Sequence, residues 1–143
     1  MKNYFAYGSN MNFKQMKERC PSSKFLKRVY LKGYKFVYDG YSPKRNGAVA
    51  NIVKSPNGIV WGALFEVDKK AIESLDWYEG YPVNYQRKIV EVADDEGTRY
   101  KAFVYLRKAL EKGVPSKEYK EVILEGAKHC GLPKEYVEIF LGG

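Results

Sequence analysis

From residue 25 to residue 106 the chain consists largely of runs rich in Tyr, Phe, Val and Ile, broken by Gly or Pro and interrupted by one helical stretch. Such residues suit a pleated, half-buried surface. The order is many strands with helices inserted and appended, without regular strand–helix alternation. That argues against a doubly wound parallel sheet and for an α+β fold on a mostly antiparallel sheet or small barrel.

Residues 3–7 read as a short strand entering Gly8-Ser9-Asn10. A short helix follows, with Asn12 and Gln15 at capping-box spacing and Phe13, Met16 and Cys20 on one side. Residues 25–41 read as one bulged strand or two strands meeting at a bend, because Gly33 and Gly40 interrupt the run. Residues 48–53 and 59–67 flank Ser55-Pro56-Asn57-Gly58, a turn signal that predicts a hairpin. A second pair, 85–93 and 98–106, is joined by Asp94-Asp95-Glu96-Gly97. Three further helices are expected or suggested after the first: 69–79, capped by Asp68 and stopped by Gly80; 117–130, capped by Ser116 and stopped by Gly131; and a short one from Pro133. In the 117–130 helix, Tyr119, Val122, Ile123, Ala127 and Cys130 follow an amphipathic stripe.

No repeat or linker divides the 143 residues, which fit a single domain over 1–143. The N-terminus lacks an apolar signal-peptide core, and no stretch is long enough to span a bilayer, so the expected location is cytoplasmic. Cys20 and Cys130 lack metal or redox spacing and are expected as free thiols, with Cys130 in the core. One histidine and no Cys/His cluster give a metal site no support, and His129 is expected to be solvated. The net charge of +8 fits a nucleic-acid surface, a field attracting a small anion, or a merely solvated lysine-rich surface. The basic residues are scattered among acidic ones, which speaks against nucleic acid.

Chemistry concentrates at two places. Tyr7-Gly8-Ser9-Asn10-Met11 is a polar loop between a strand and a helix, able to point backbone N–H groups at a carboxylate or phosphate. A plain strand-to-helix turn explains the same residues. In Leu75-Asp76-Trp77-Tyr78-Glu79-Gly80, Ile72, Leu75 and Glu79 are spaced i, i+3, i+7, which sets Glu79 on the apolar side of its helix. Burial there raises a carboxyl pKa and suits it to proton transfer near neutrality. The alternative is a Glu79 that frays into solvent in the last helical turn. Asp76 and Glu73 fall on more exposed positions, Arg87 reads as a surface-strand residue, and Trp61 and Trp77 read as packing residues.

Tyr4 to Met11 resembles the signature N-terminus of the γ-glutamylcyclotransferases, and Leu75 to Gly80 resembles their L-D-x-x-E-G segment. Pro115-Ser116, Tyr119-Lys120, Gly126-Ala127-Lys128, Gly131-Leu132-Pro133 and Glu135-Tyr136 resemble the animal enzymes, and Trp61-Gly62 lies between. The resemblance implies a small, mixed, barrel-like sheet with flanking helices. It also implies release of an amino acid from a γ-glutamyl amino acid or dipeptide as the glutamyl part cyclises to 5-oxoproline, without metal or other cofactor. Gly8, Ser9 and Asn10 would then bind the glutamyl carboxylate, Tyr7 would shape the pocket, Glu79 would shuttle the proton, and Tyr85 and Tyr119 would complete the site. The expected partner is a small-molecule γ-glutamyl substrate, with no nucleic acid and no membrane; a homodimer is left open. The alternatives are a cyclotransferase for γ-glutamyl amines or a natural product, and a non-catalytic module binding an anion or nucleic acid. The Ser9-Asn10-Met11 spelling favours amino acid substrates, because the amine-specific branch tends to carry a Gly-Thr-Leu type loop.

Overall fold

The structure is a computed structural model, and residues 1–142 are described. Five strands, β1 (Lys2–Ala6), β2 (Lys24–Ser42), β3 (Gly47–Val67), β4 (Gln86–Ala93) and β5 (Arg99–Leu106), close into a barrel in the order β1-β3-β2-β4-β5. Neighbours run antiparallel except β1 and β5, which meet in parallel at Tyr4 and Phe103 and close the ring. The sheet is therefore mixed and mostly antiparallel, as the strand-rich sequence predicts. Phe5, Val29, Ile52, Val60, Leu64 and Val67 fill the core.

The segments on either side of Ser55-Pro56-Asn57-Gly58 do not form a hairpin with each other. Both belong to the single strand β3 and pair with β2: Lys54 lies opposite Tyr34 and Ile59 opposite Lys32, so residues 55–58 bulge opposite Gly33 alone. Gly33, at φ 87°, supplies the left-handed backbone that the bend needs. A Cβ at Gly58 would lie 2.2 Å from the Tyr34 carbonyl oxygen, so the strands stay close across the bulge only because position 58 is glycine. Residues 25–41 are thus one bulged strand. The outer half of the β2–β3 ribbon reaches past the barrel and forms one wall of a cleft described below.

Helices sit where their caps place them. α1 (Phe13–Arg19) starts at Asn12, whose side chain accepts from the amides of Lys14 and Gln15. Gln15 does not complete a capping box; its amide reaches back to Ser9 Oγ (2.8 Å) and Asn10 Oδ1 (2.9 Å). α2 (Lys69–Glu79) is capped by Asp68 and ends at Gly80, and α3 (Lys117–Cys130) is capped by Ser116 and ends at Gly131, both glycines being left-handed. A short α4 (Lys134–Tyr136) continues into a wider π-helical turn over Val137–Leu141. His129 is not merely solvated. Its Nδ1 accepts from the Phe13 N–H, and its ring stacks on Phe13. Trp61 packs against Tyr30, whereas Trp77 is 73% exposed and is not a packing residue.

α3 holds the N-terminal loop by close approach. The Asn12 side chain donates to the Val122 carbonyl, and a Cβ on Gly126 would meet Asn12 N at 2.5 Å and Met11 C at 2.6 Å. Because both contacts are backbone, Gly126→Ala is expected to push α3 off the loop and cost about 1–3 kcal/mol. A lowered denaturant midpoint at unchanged slope would show it; an unchanged midpoint would mean the helix slides at little cost.

Candidate active site

The loop after β1 turns as a single 3₁₀ turn over Ser9–Met11, in which the Met11 N–H bonds to the Gly8 carbonyl and the Asn12 N–H to that of Ser9. As at any helix start, the amides of Ser9 and Asn10 precede the first internal donor and have no partner within the turn. The residues Ser9 and Asn10 line a recess of about 50 Å³ together with Gly8, Tyr7, Tyr119 and Glu79. That volume is on the scale of a few water molecules. Tyr4, Tyr85, Tyr105 and the Ala50 stretch of β3 close it. The sequence-predicted residues Tyr7, Gly8, Ser9, Asn10, Glu79, Tyr85 and Tyr119, drawn from four parts of the chain, therefore meet in one place. A Cβ on Gly8 would stand 3.1 Å from the Ala50 Cβ, so a side chain there would push β3 back by a few tenths of an ångström.

The tyrosines are not equivalent. Tyr7 donates to the Tyr105 carbonyl (2.7 Å), Tyr85 to the Ala50 carbonyl (2.8 Å), and Tyr105 to Asp76 Oδ1 (2.6 Å). Their protons are committed. Tyr4 instead accepts from Asn10 Nδ2 (3.0 Å) and Tyr119 accepts from the Ala50 N–H (2.9 Å), so both keep a hydroxyl proton to donate. Ala50 pairs with β2 on its other side, and Tyr85 and Tyr119 satisfy its remaining backbone groups.

Glu79, in the last turn of α2, is half-buried and faces this recess; it does not fray into solvent. Burial raises its carboxyl to about 7, against the opposing pull of the Arg19, Arg45 and Arg107 guanidiniums. Each of those arginines lies over a tyrosine ring: Arg19 over Tyr78 (4.2 Å), Arg45 over Tyr119 (5.0 Å) and Arg107 over Tyr85 (4.9 Å). Arg19 also donates to Asn10 Oδ1, and Arg45 to Gln15 Oε1. Arg107 is anchored by the buried Asp39, which also accepts from Asn51 Nδ2 (3.1 Å) and the Leu110 N–H (3.0 Å).

Sequence reasoning missed Gln15, Arg19, Arg45, Arg107, Tyr4 and Tyr105. Tyr4 and Gln15 lie in segments singled out for other reasons, whereas Arg19, Arg45, Arg107 and Tyr105 carry no motif and arrive from separate elements. Arg87 does sit outside the recess, paired with Asp76 at 3.4 Å. Among the described residues no three His, Cys, Asp or Glu side chains cluster as metal ligands, and no helix is long and apolar enough to cross a membrane.

A half-buried carboxyl poised near neutrality and two spare hydroxyl protons share one small recess with the Gly8-Ser9-Asn10 loop, an arrangement suited to proton transfer. The AIG2-like family model matches residues 59–140. The γ-glutamylcyclotransferase of Mus musculus is 36% identical over 140 residues, covering 94% of this chain and 74% of that protein, and the figures for its Homo sapiens counterpart are the same. The chain belongs to the γ-glutamylcyclotransferase family. A solved structure named gamma-glutamyl cyclotransferase superposes with a TM-score of 0.90 at 35% identity, over 96% of this chain and 84% of that one. This γ-glutamylcyclotransferase family member is thus an enzyme on its relatives' fold.

Proposed function

We propose that the protein converts γ-glutamyl amino acids or dipeptides to 5-oxoproline and a free amino acid or peptide, with Glu79 as general base and then general acid. The observation that carries this reading is the raised Glu79 carboxyl, at about 7, sharing a recess with the Ser9 and Asn10 amides. The glutamyl α-carboxylate lies against those amides, with Tyr7 and Gly8 shaping the space around it. This presents the α-amine to Glu79. Glu79 removes its proton, the amine attacks the γ-carbonyl within the same substrate, and the proton passes to the departing nitrogen as the C–N bond breaks. Nucleophile and electrophile share one molecule, so the enzyme's task is folding it and moving one proton. The free proton of Tyr119 is placed to stabilise the developing oxyanion, while Tyr85 keeps its strand in position.

The outer cleft favours amino acid leaving groups over amines. Arg19, Lys44, Arg45, Arg107 and Lys108 line it, and Glu79 is its only carboxylate among the described residues. A leaving carboxylate is attracted there, whereas an amine leaving group without a carboxylate is not. A purely binding role is disfavoured because a half-buried carboxyl is an expense a binding module does not need. Buried free thiols at Cys20 and Cys130 fit a reducing cytoplasm.

The test is 5-oxoproline release from a panel of γ-glutamyl dipeptides and γ-glutamyl amines. Release from the dipeptides is expected, with kcat/KM rising as pH increases through about 7, where Glu79 becomes the ionised base. Release from amines alone would move the enzyme to the other branch, and release from neither would remove the reaction.

A further inference from the structure

The cavity outside the recess is far larger than one amino acid requires. The outer cleft measures about 680 Å³ and shares Ser9, Glu79, Tyr85 and Tyr119 with the recess. Beyond it lies a second groove of about 430 Å³, adjoining the first across Gln86, Arg107 and Lys108, which line both. Each is the size of a pocket for a drug-sized ligand. The second groove adds Lys54, Arg87 and Lys88, and no acidic residue lines it among the described residues. Arg87 and Arg107 have carboxylate partners, Asp76 and Asp39, set outside the two walls. Lys44, Arg45, Lys54, Lys88 and Lys108 form no ion pair with any carboxylate among the described residues. Of the 25 Lys and Arg residues of the chain, eight line these two adjoining cavities, the first of which holds the reacting carboxyl.

The rim is not uniformly polar. Tyr41, Val83 and Leu110, all exposed, stand along the outer cleft. A matching ligand therefore carries several negative charges joined by apolar segments. A γ-linked glutamyl chain has this composition: each unit brings one carboxylate on two methylenes.

We propose that the second groove, with Lys54, Lys88 and Lys108, is an extended leaving-group subsite that takes a γ-linked oligoglutamyl chain, so that the enzyme trims such chains from their amino end. The inference rests on the proposed cyclotransferase reaction. The terminal α-amine attacks the terminal γ-carbonyl, and the amide C–N bond to the next unit breaks. The proton taken by Glu79 ends on the nitrogen of that unit. The products are 5-oxoproline and a chain one unit shorter, which presents a new γ-glutamyl amino terminus for the next round.

The experiment compares γ-linked tetraglutamate with γ-glutamylalanine in the wild type and in the double variant Lys54→Glu/Lys88→Glu. In the wild type the tetramer is expected to have a kcat/KM about tenfold or more above the dipeptide at low salt, falling towards it as ionic strength rises. Mass spectrometry should show successive loss of single units. In the double variant the tetramer-to-dipeptide ratio falls about tenfold, mainly through KM. A wild-type ratio near one, or a ratio unmoved in the variant, would overturn the proposal while leaving the cyclotransferase reaction standing. Should neither substrate turn over, the reaction itself fails. Calorimetric binding of the tetramer then still decides the subsite, with a Kd about tenfold weaker in the variant supporting it and an equal one overturning it. If α-linked tetraglutamate or a short oligonucleotide of equal charge binds the wild type as tightly, the groove is a general polyanion surface and the proposal falls.

Discussion

Glu79→Gln is expected to release 5-oxoproline at least about two orders of magnitude more slowly than the wild type, the scale of a lost general acid–base. The same change should make the protein more stable above pH 7. A glutamate titrates at 4.5 when free of the fold and at about 7 in it, because burial disfavours its charge. Between those values the folded state holds the proton more tightly than the unfolded state, so stability falls as pH rises through the interval and stays lower above it. Glutamine carries no such charge. The variant should therefore match the wild type near pH 4 and exceed it by about 1–3 kcal/mol at pH 8. Denaturant melts at both pH values, run beside turnover, separate the outcomes. Turnover within a factor of a few of the wild type would take Glu79 out of the mechanism, and equal stability at pH 8 would mean its charge is well solvated in the fold.

The second large effect belongs to Asp39, which is 1% exposed. Its carboxylate accepts from Arg107, from Asn51 and from the Leu110 N–H, tying the strand end at Leu106 and the chain that follows to the far half of the β2–β3 ribbon. Asp39→Ala leaves a largely buried guanidinium without its partner and an amide without its acceptor. A loss of about 3–5 kcal/mol is expected, as for one-sided removal of a buried ion pair. Asp39→Asn keeps part of the hydrogen bonding and should lose less. Because Arg107 lies over Tyr85 and faces Glu79, KM for γ-glutamyl dipeptides should rise in the Asn variant even where it stays folded. A midpoint shift worth less than about 1 kcal/mol in the Ala variant would show that solvent replaces the carboxylate readily.

The helices were legible in the sequence because local chemistry writes their ends, whereas Tyr7, Gly8, Ser9, Asn10, Tyr85 and Tyr119 were singled out by resemblance to a known family. Asp68 and Ser116 each accept from the amide three residues on, and Gly80 and Gly131 each supply the left-handed stop. Glu79 could be found because spacing alone assigns it a helix face. Ser55-Pro56-Asn57-Gly58 misled because a turn signal states that the chain deviates, not which strand it meets afterwards; the long partner β2 decided that. Trp77 misled in the opposite way, since an aromatic residue on an exposed helix face has no local mark of exposure. The three arginines around Glu79 come from α1, from the β2–β3 turn and from the end of β5. Nothing short of the barrel's closure brings them together, so no reading by local pattern could have done so.

The close approach of Gly126 to Met11 and Asn12 has a consequence for how the enzyme comes into being. The Gly8-Ser9-Asn10 loop is made well before the helix that braces it, which is complete only near residue 130. During synthesis the strands emerge and can begin to pair, with the longest-range partner, β5, closing onto β1 after about 100 residues. Tyr119 and the α3 brace follow later still. A ribosome-bound chain therefore carries this loop without a completed recess until α3 has been made. Competence to react should switch on late and abruptly, when α3 docks, and not grow with chain length.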